Sequence, residues 1–173
     1  GIRHQSAERT AKQTRQLVIA ISKRLKIITL YYCDEKYVLK SRPDLLSRLE
    51  YSYNTLRRQK EIYTKLINNL NVLEFTNLIS LEDIISVIQR AEMILRTEKT
   101  IKRILSELGD EEQILSLRLK ELTFGIEEEL DLILRDYKKG ITLNKLQKNL
   151  SKLSYDDLIS KELIMNYLGY EKE

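Results

Sequence analysis

The apolar positions change period near residue 41. Before it they come in short runs, and after it they advance in helical steps. Leu17-Val18-Ile19-Ala20-Ile21-Ser22 is a continuous apolar run rich in β-branched residues, the pattern of a strand buried on both faces. Lys23 to Lys26 turns the chain. Ile27-Ile28-Thr29-Leu30-Tyr31-Tyr32 predicts a second strand, Cys33-Asp34-Glu35-Lys36 a tight turn and Tyr37-Val38-Leu39 a third strand, so the last two form a hairpin. Ahead of them, Ala7, Thr10, Ala11 and Thr14 put small residues on one face of a short helix over residues 6–14, with Ser6 as its N-cap. One helix and three strands cannot cover a strand buried on both sides. The pattern therefore predicts further strands, from a preceding segment or from another chain.

Ser41-Arg42-Pro43-Asp44 breaks the pattern, and nothing after it reads as strand. Leu45, Leu49, Tyr53, Leu56, Tyr63, Ile67 and Leu70 fall on one face of a long helix, which Asn68, Asn69 and Asn71 weaken at its end. Ser80-Leu81-Glu82-Asp83 is a capping-box pattern opening a helix through Ile84, Ile88, Ala91, Leu95 and Ile101 to Leu108, where Gly109 stops it. Another helix is expected from about Asp110 through Leu119, Ile126 and Leu130 to Tyr137, with Gly125 bending it or sitting inside it, and Gly140 ends that stretch. Two short helices close the chain, one after Thr142 and one from Ser154-Tyr155-Asp156-Asp157 to Leu168-Gly169. The expected fold is mainly α: an antiparallel helical bundle over residues 42–173, preceded by a small α/β fragment over residues 1–41.

Composition agrees with this division. One proline and five glycines in 173 residues leave little punctuation for a many-turned β fold. No apolar run approaches the roughly 20 residues of a membrane-spanning helix, and the N-terminus lacks the order of a secretory signal, which points to the cytoplasm or to a fragment whose signal was removed; a cytoplasmic location is expected. Cys33 is the single cysteine, which excludes an intrachain disulfide and fits a reducing compartment.

Charge changes the picture more. The net charge is +4, but up to Tyr32 the residues Arg3, Arg9, Lys12, Arg15, Lys23, Arg24 and Lys26 face only Glu8. Such local excess implies an anionic partner, nucleotide phosphates or a nucleic-acid backbone. A solvated basic face is the equally weighted alternative. Within this segment Arg3 and the only histidine, His4, precede the expected helix start, where amide donors and the helix dipole attract anions, and Lys23 and Arg24 occupy a turn able to add charge to the same pocket. Other candidates are weaker. Consecutive helical carboxylates at Glu127-Glu128-Glu129 point in different directions and cannot converge on a metal with Asp131, while Tyr51, Tyr53 and Tyr63 have the spacing of packing residues rather than of a base-stacking platform. A phosphate-cradling glycine loop, a nucleophile elbow and a histidine pair are all absent.

The residues 1–14, GIRHQSAERTAKQT, followed by Val18-Ile19-Ala20-Ile21-Ser22 and Ile27-Ile28-Thr29-Leu30-Tyr31, resemble the later part of the nucleotide-binding domain of the bacterial DNA-integrity scanning diadenylate cyclases. The likeness continues through Leu73-Glu74-Phe75, Glu107-Leu108-Gly109, Leu119-Lys120-Glu121-Leu122 and Asp136-Tyr137 to Leu168-Gly169-Tyr170. The resemblance implies a cyclase domain followed by a helical linker and a DNA-binding helix-hairpin-helix domain. It also implies an octamer whose facing sites condense two ATP molecules to cyclic di-AMP with magnesium or manganese, and association with the nucleoid.

By the same resemblance Arg3 and His4 match the first two residues of the family's Arg-His-Arg phosphate motif, and Ser22 matches a serine of the second phosphate loop. Gln5 stands where the motif's third residue is arginine, Ile2 replaces a preceding threonine, and Leu25 a frequent basic residue. The family's catalytic Asp-Gly-Ala motif is not in this chain, so the chain alone is expected to hold no metal and to form no cyclic di-AMP. A non-catalytic scaffold for oligomerisation or DNA contact is the alternative.

Overall fold

The computed structural model describes residues 2–24, 27–109 and 113–170. Among them are eight helices and three strands, in two compact units, Gly1–Arg48 and Leu49–Glu173.

The first unit opens with α1 (Ile2–Thr14). This helix begins four residues before the expected start, so Ser6 is not its cap. The Ser6 hydroxyl instead donates to the Ile2 carbonyl at 3.1 Å, Thr10 to that of Ser6 at 2.9 Å and Thr14 to that of Thr10 at 2.8 Å. These hydroxyls find partners one turn back and so sit inside the helix without competing for its amides. Strands β1 (Val18–Ser22), β2 (Ile27–Tyr32) and β3 (Glu35–Leu39) form an antiparallel sheet in the order β1-β2-β3, with Ala20 opposite Thr29 and Thr29 opposite Val38. Only Cys33 and Asp34 join β2 to β3, Cys33 at a φ of 50°, so β3 begins two residues earlier than the pattern predicts.

Helix α1 packs on the sheet face that carries Thr29 and Tyr31, and buries Ala11, Thr29 and Tyr31 almost completely. Among the described residues β1 is covered on one face only. Ile19 and Ile21 are 56% and 64% exposed, because successive residues alternate between faces and α1 covers one face only. The apolar run does supply side chains for two covers, and the described residues of this unit contain one.

Helix α2 (Arg42–Phe75) runs across the Arg48/Leu49 division. The stretch expected to break the chain in fact starts this helix. Ser41 caps it, donating to Asp44 Oδ2 at 2.6 Å and accepting the Asp44 amide at 3.3 Å, while Pro43 falls in the first turn, where its missing N–H has no intrahelical acceptor to lose. The asparagines lie within the helix. It ends at a Schellman motif in which Asn77, at a φ of 53°, donates to Glu74 O and Leu78 donates to Leu73 O.

In the second unit α3 (Leu81–Leu108) begins at Ser80 with the capping box predicted for it, and Gly109 follows its end. It is the central helix, packed against α4 (Gln113–Thr123), α5 (Ile126–Tyr137) and α8 (Lys161–Leu168), with Ile84, Ile88, Ala91, Ile94 and Ile101 fully buried. The expected start at Asp110 lies outside the described residues. The single helix predicted through Gly125 is two helices, because Gly125 adopts a left-handed φ of 78° and becomes the N-cap of α5. The last predicted helix also divides, into α7 (Tyr155–Ile159) and α8, at extended Ser160, and α6 (Leu143–Lys152) precedes them. Polar ties then fix α2 to the bundle: Thr97 Oγ1 donates to Gln59 Oε1 at 2.9 Å with both residues buried, and the Tyr53 hydroxyl reaches the Leu115 carbonyl.

Candidate functional site

The free edge of β1 and the first two turns of α1 enclose a cleft of about 890 Å³ in the first unit. Arg3 and His4 line it from α1, Ser22 from the end of β1, and Lys23 and Arg24 from the turn that follows. All five residues singled out from the sequence therefore meet at one cavity. Arg3 and His4 are not ahead of the helix, as the expected Ser6 cap required; they occupy its first turn. What carries over to these positions is the charge and donor chemistry of Arg3 and His4 themselves.

Ile2 also lines the cleft and is 82% exposed, whereas Gln5 does not line it. Of the three departures from the family pattern, Leu25 lies outside the described residues.

The electrostatics are one-sided. No carboxylate lines the cavity, and Arg3, Lys23 and Arg24 form no ion pair with a described residue. Lys12 differs: it bridges Glu8 at 3.1 Å and Asp34 at 3.6 Å, and it does not line the cleft. His4 Nδ1 lies 3.1 Å from the Tyr31 hydroxyl. Tyr31 is 2% exposed on β2, and its role was not legible in the sequence, where it is one of many apolar strand positions. The signal available was register, since a residue on the α1-covered face can reach a first-turn histidine.

Elsewhere the candidates disperse. Tyr53 and Tyr63 are buried packing residues, whereas Tyr51, expected to pack with them, faces solvent; among the described residues no group of three His, Cys, Asp or Glu could hold a metal. A cavity of about 570 Å³ between α3, α5 and α6 mixes acids and bases, with Glu92, Glu127 and Asp131 facing Arg96, Lys99 and Lys148. Burial pushes the Glu92 carboxyl above its usual range, against the pull of Arg96 and Lys99. That balance of charge favours no ionic ligand.

A family model described as the DisA bacterial checkpoint controller linker region matches residues 39–173. The chain belongs to the DisA family. It is 38% identical over 172 residues to the DNA integrity scanning protein DisA of Acetivibrio thermocellus and 39% identical over 170 residues to that of Clostridium beijerinckii, in each case covering 98% of this chain and 48% of the relative. The DisA protein of a Clostridium botulinum strain is 40% identical over 174 residues, covering 100% of this chain and 49% of its own length. The likeness thus takes in the cleft-bearing unit as well as the DisA linker, and the chain spans about half the length of the curated relatives it matches.

Proposed function

We propose that the cleft is one phosphate-holding wall of an ATP site, and that the chain is the later part of a DisA diadenylate cyclase domain with its helical linker. One observation carries this reading: Arg3, His4, Ser22, Lys23 and Arg24 converge on a cavity without a carboxylate. Cations beside histidine and serine side chains suit a polyphosphate, and each charged hydrogen bond to it contributes about 1.5–3 kcal/mol, less where solvent screens it. The cavity offers no carboxylate to act as base or to hold magnesium or manganese, so a divalent ion does not fit this wall and no step is assigned to one. In the whole protein the reading extends to condensation of two ATP molecules to cyclic di-AMP, assembly as an octamer, DNA contact through a helix-hairpin-helix domain, and a cytoplasmic, nucleoid-associated location. No described helix is long and apolar enough to cross a membrane, which accords with that location.

Calorimetric titration of the chain with ATP tests the proposal. Binding that weakens as salt rises, without formation of cyclic di-AMP, is expected. Heats indistinguishable from dilution at low salt would overturn it.

The second reading, a non-catalytic scaffold for assembly, is favoured by the exposure of Ile19 and Ile21, apolar side chains that also line the cleft. Sedimentation of the chain separates the two: self-association with no ATP binding supports the scaffold.

A further inference from the structure

We infer that Tyr31 is a positioning residue, whose buried phenol donates to His4 Nδ1 and holds the imidazole in the tautomer that carries its proton on Nε2, available to an anionic oxygen in the cleft. The ligand in this inference rests on the phosphate reading; the geometry does not.

The contact is a hydrogen bond rather than a stack, with 3.1 Å between Nδ1 and the hydroxyl and ring centroids 6.2 Å apart at 59°. Its direction follows from burial. Tyr31 is 2% exposed, and its hydroxyl has no other described acceptor. Were Nδ1 the donor, the phenolic proton would be left buried with nothing to receive it, which folded proteins avoid. The phenol therefore donates, Nδ1 accepts, and in the neutral ring the proton must sit on Nε2. His4 lines the cavity while Tyr31 does not, and Nε2 bonds to no described residue. The buried strand thus fixes the ring's inner nitrogen and leaves the outer one as a neutral donor beside Arg3, Lys23 and Arg24. A partner on one ring nitrogen setting the role of the other is the same relationship that orients histidines at metal centres.

His4 is the only histidine, so imidazole nitrogen resonances of the full chain report on it alone. With the ring neutral, the wild type is expected to show a protonated Nε2 and a hydrogen-bonded, unprotonated Nδ1. Tyr31→Phe keeps the ring volume and should lose the Nδ1 hydrogen-bond signature, mix the tautomers, and weaken ATP binding by about threefold to tenfold, the size of one neutral hydrogen bond. A wild-type proton on Nδ1 would overturn the inference, and that spectrum needs no variant to fold. So would identical nitrogen spectra for wild type and Tyr31→Phe. If ATP moves no His4 resonance while the tautomer still depends on Tyr31, the phosphate reading fails and the tautomer lock stands.

Discussion

Tyr63 on α2 donates its phenolic hydrogen to Glu129 Oε2 on α5 at 2.6 Å, joining two helices through residues 66 positions apart. The ring is 2% exposed while the carboxylate sits at the surface, so the pair straddles the edge of the core. Burial, then the hydrogen bond and charge of Glu129, raise the phenol well above its ordinary value near 10. Because the folded state holds the proton more tightly, the stabilisation is complete below about pH 10 and is lost as the unfolded chain ionises above it. Tyr63→Phe should cost about 1 kcal/mol at neutral pH, since Glu129 can rehydrate, and should flatten the alkaline fall in stability relative to wild type. Urea midpoints measured from pH 8 to 11 for both proteins check the sign.

Thr97 and Gln59 make the only side-chain bond between two buried polar residues among the described bonds, and the Thr97 hydroxyl shares its single hydrogen with Met93 O. Thr97→Val keeps the shape and leaves the Gln59 carbonyl buried without its donor. A loss of about 1–3 kcal/mol is expected, with Thr97→Ser close to wild type. Equilibrium denaturation of the two variants provides the comparison; equal stability of Val and wild type would show that Gln59 finds another partner.

Gly169 and Gly125 both have positive φ, 90° and 78°, yet they should respond differently to alanine. A Cβ at Gly169 would stand 2.1 Å from the Lys139 carbonyl oxygen, a backbone atom held by the bond from Lys139 N to Leu168 O, whereas a Cβ at Gly125 meets nothing within 4 Å. Gly125→Ala should cost only the left-handed backbone strain, about 1–2 kcal/mol. Gly169→Ala adds a clash that rigid neighbours cannot relieve, and a loss of about 3 kcal/mol or more is expected. Thermal melts of the pair test the ranking, not only the magnitudes.

These glycines also show where the sequence was legible. Period alone located the strands to within two residues and most of the bundle core, because burial of Leu49, Leu56, Ile88 and Leu119 is what created the pattern. The capping box at Ser80 was readable since its two partners are local. Gly125 was not: whether a glycine takes positive φ depends on the helices flanking it, and both α4 and α5 continue the same apolar spacing. Ser41 was misread because Pro43 resembles a terminator, although a first-turn proline serves a starting helix equally well. At the cleft the basic residues were visible as a charge imbalance, while Tyr31 depended on strand register and on which sheet face α1 covers, neither of which composition records.

The contrast between paired and unpaired cations provides the sharpest functional prediction. Lys12 is held by Glu8 and Asp34 away from the cavity, and the attraction of both carboxylates raises its pKa, whereas Lys23 and Arg24 line the cavity and meet no described carboxylate. Neutralising a cation that already has partners removes little from a ligand elsewhere; neutralising one that faces the ligand removes a direct attraction. Lys23→Gln and Arg24→Gln should each weaken ATP binding by about threefold to tenfold and lower its salt sensitivity, while Lys12→Gln stays within about twofold of wild type. Binding constants at two salt concentrations separate the cases. Equal losses at all three positions would mean that ATP responds to the net charge of the segment, and the cleft would lose its claim to be the site.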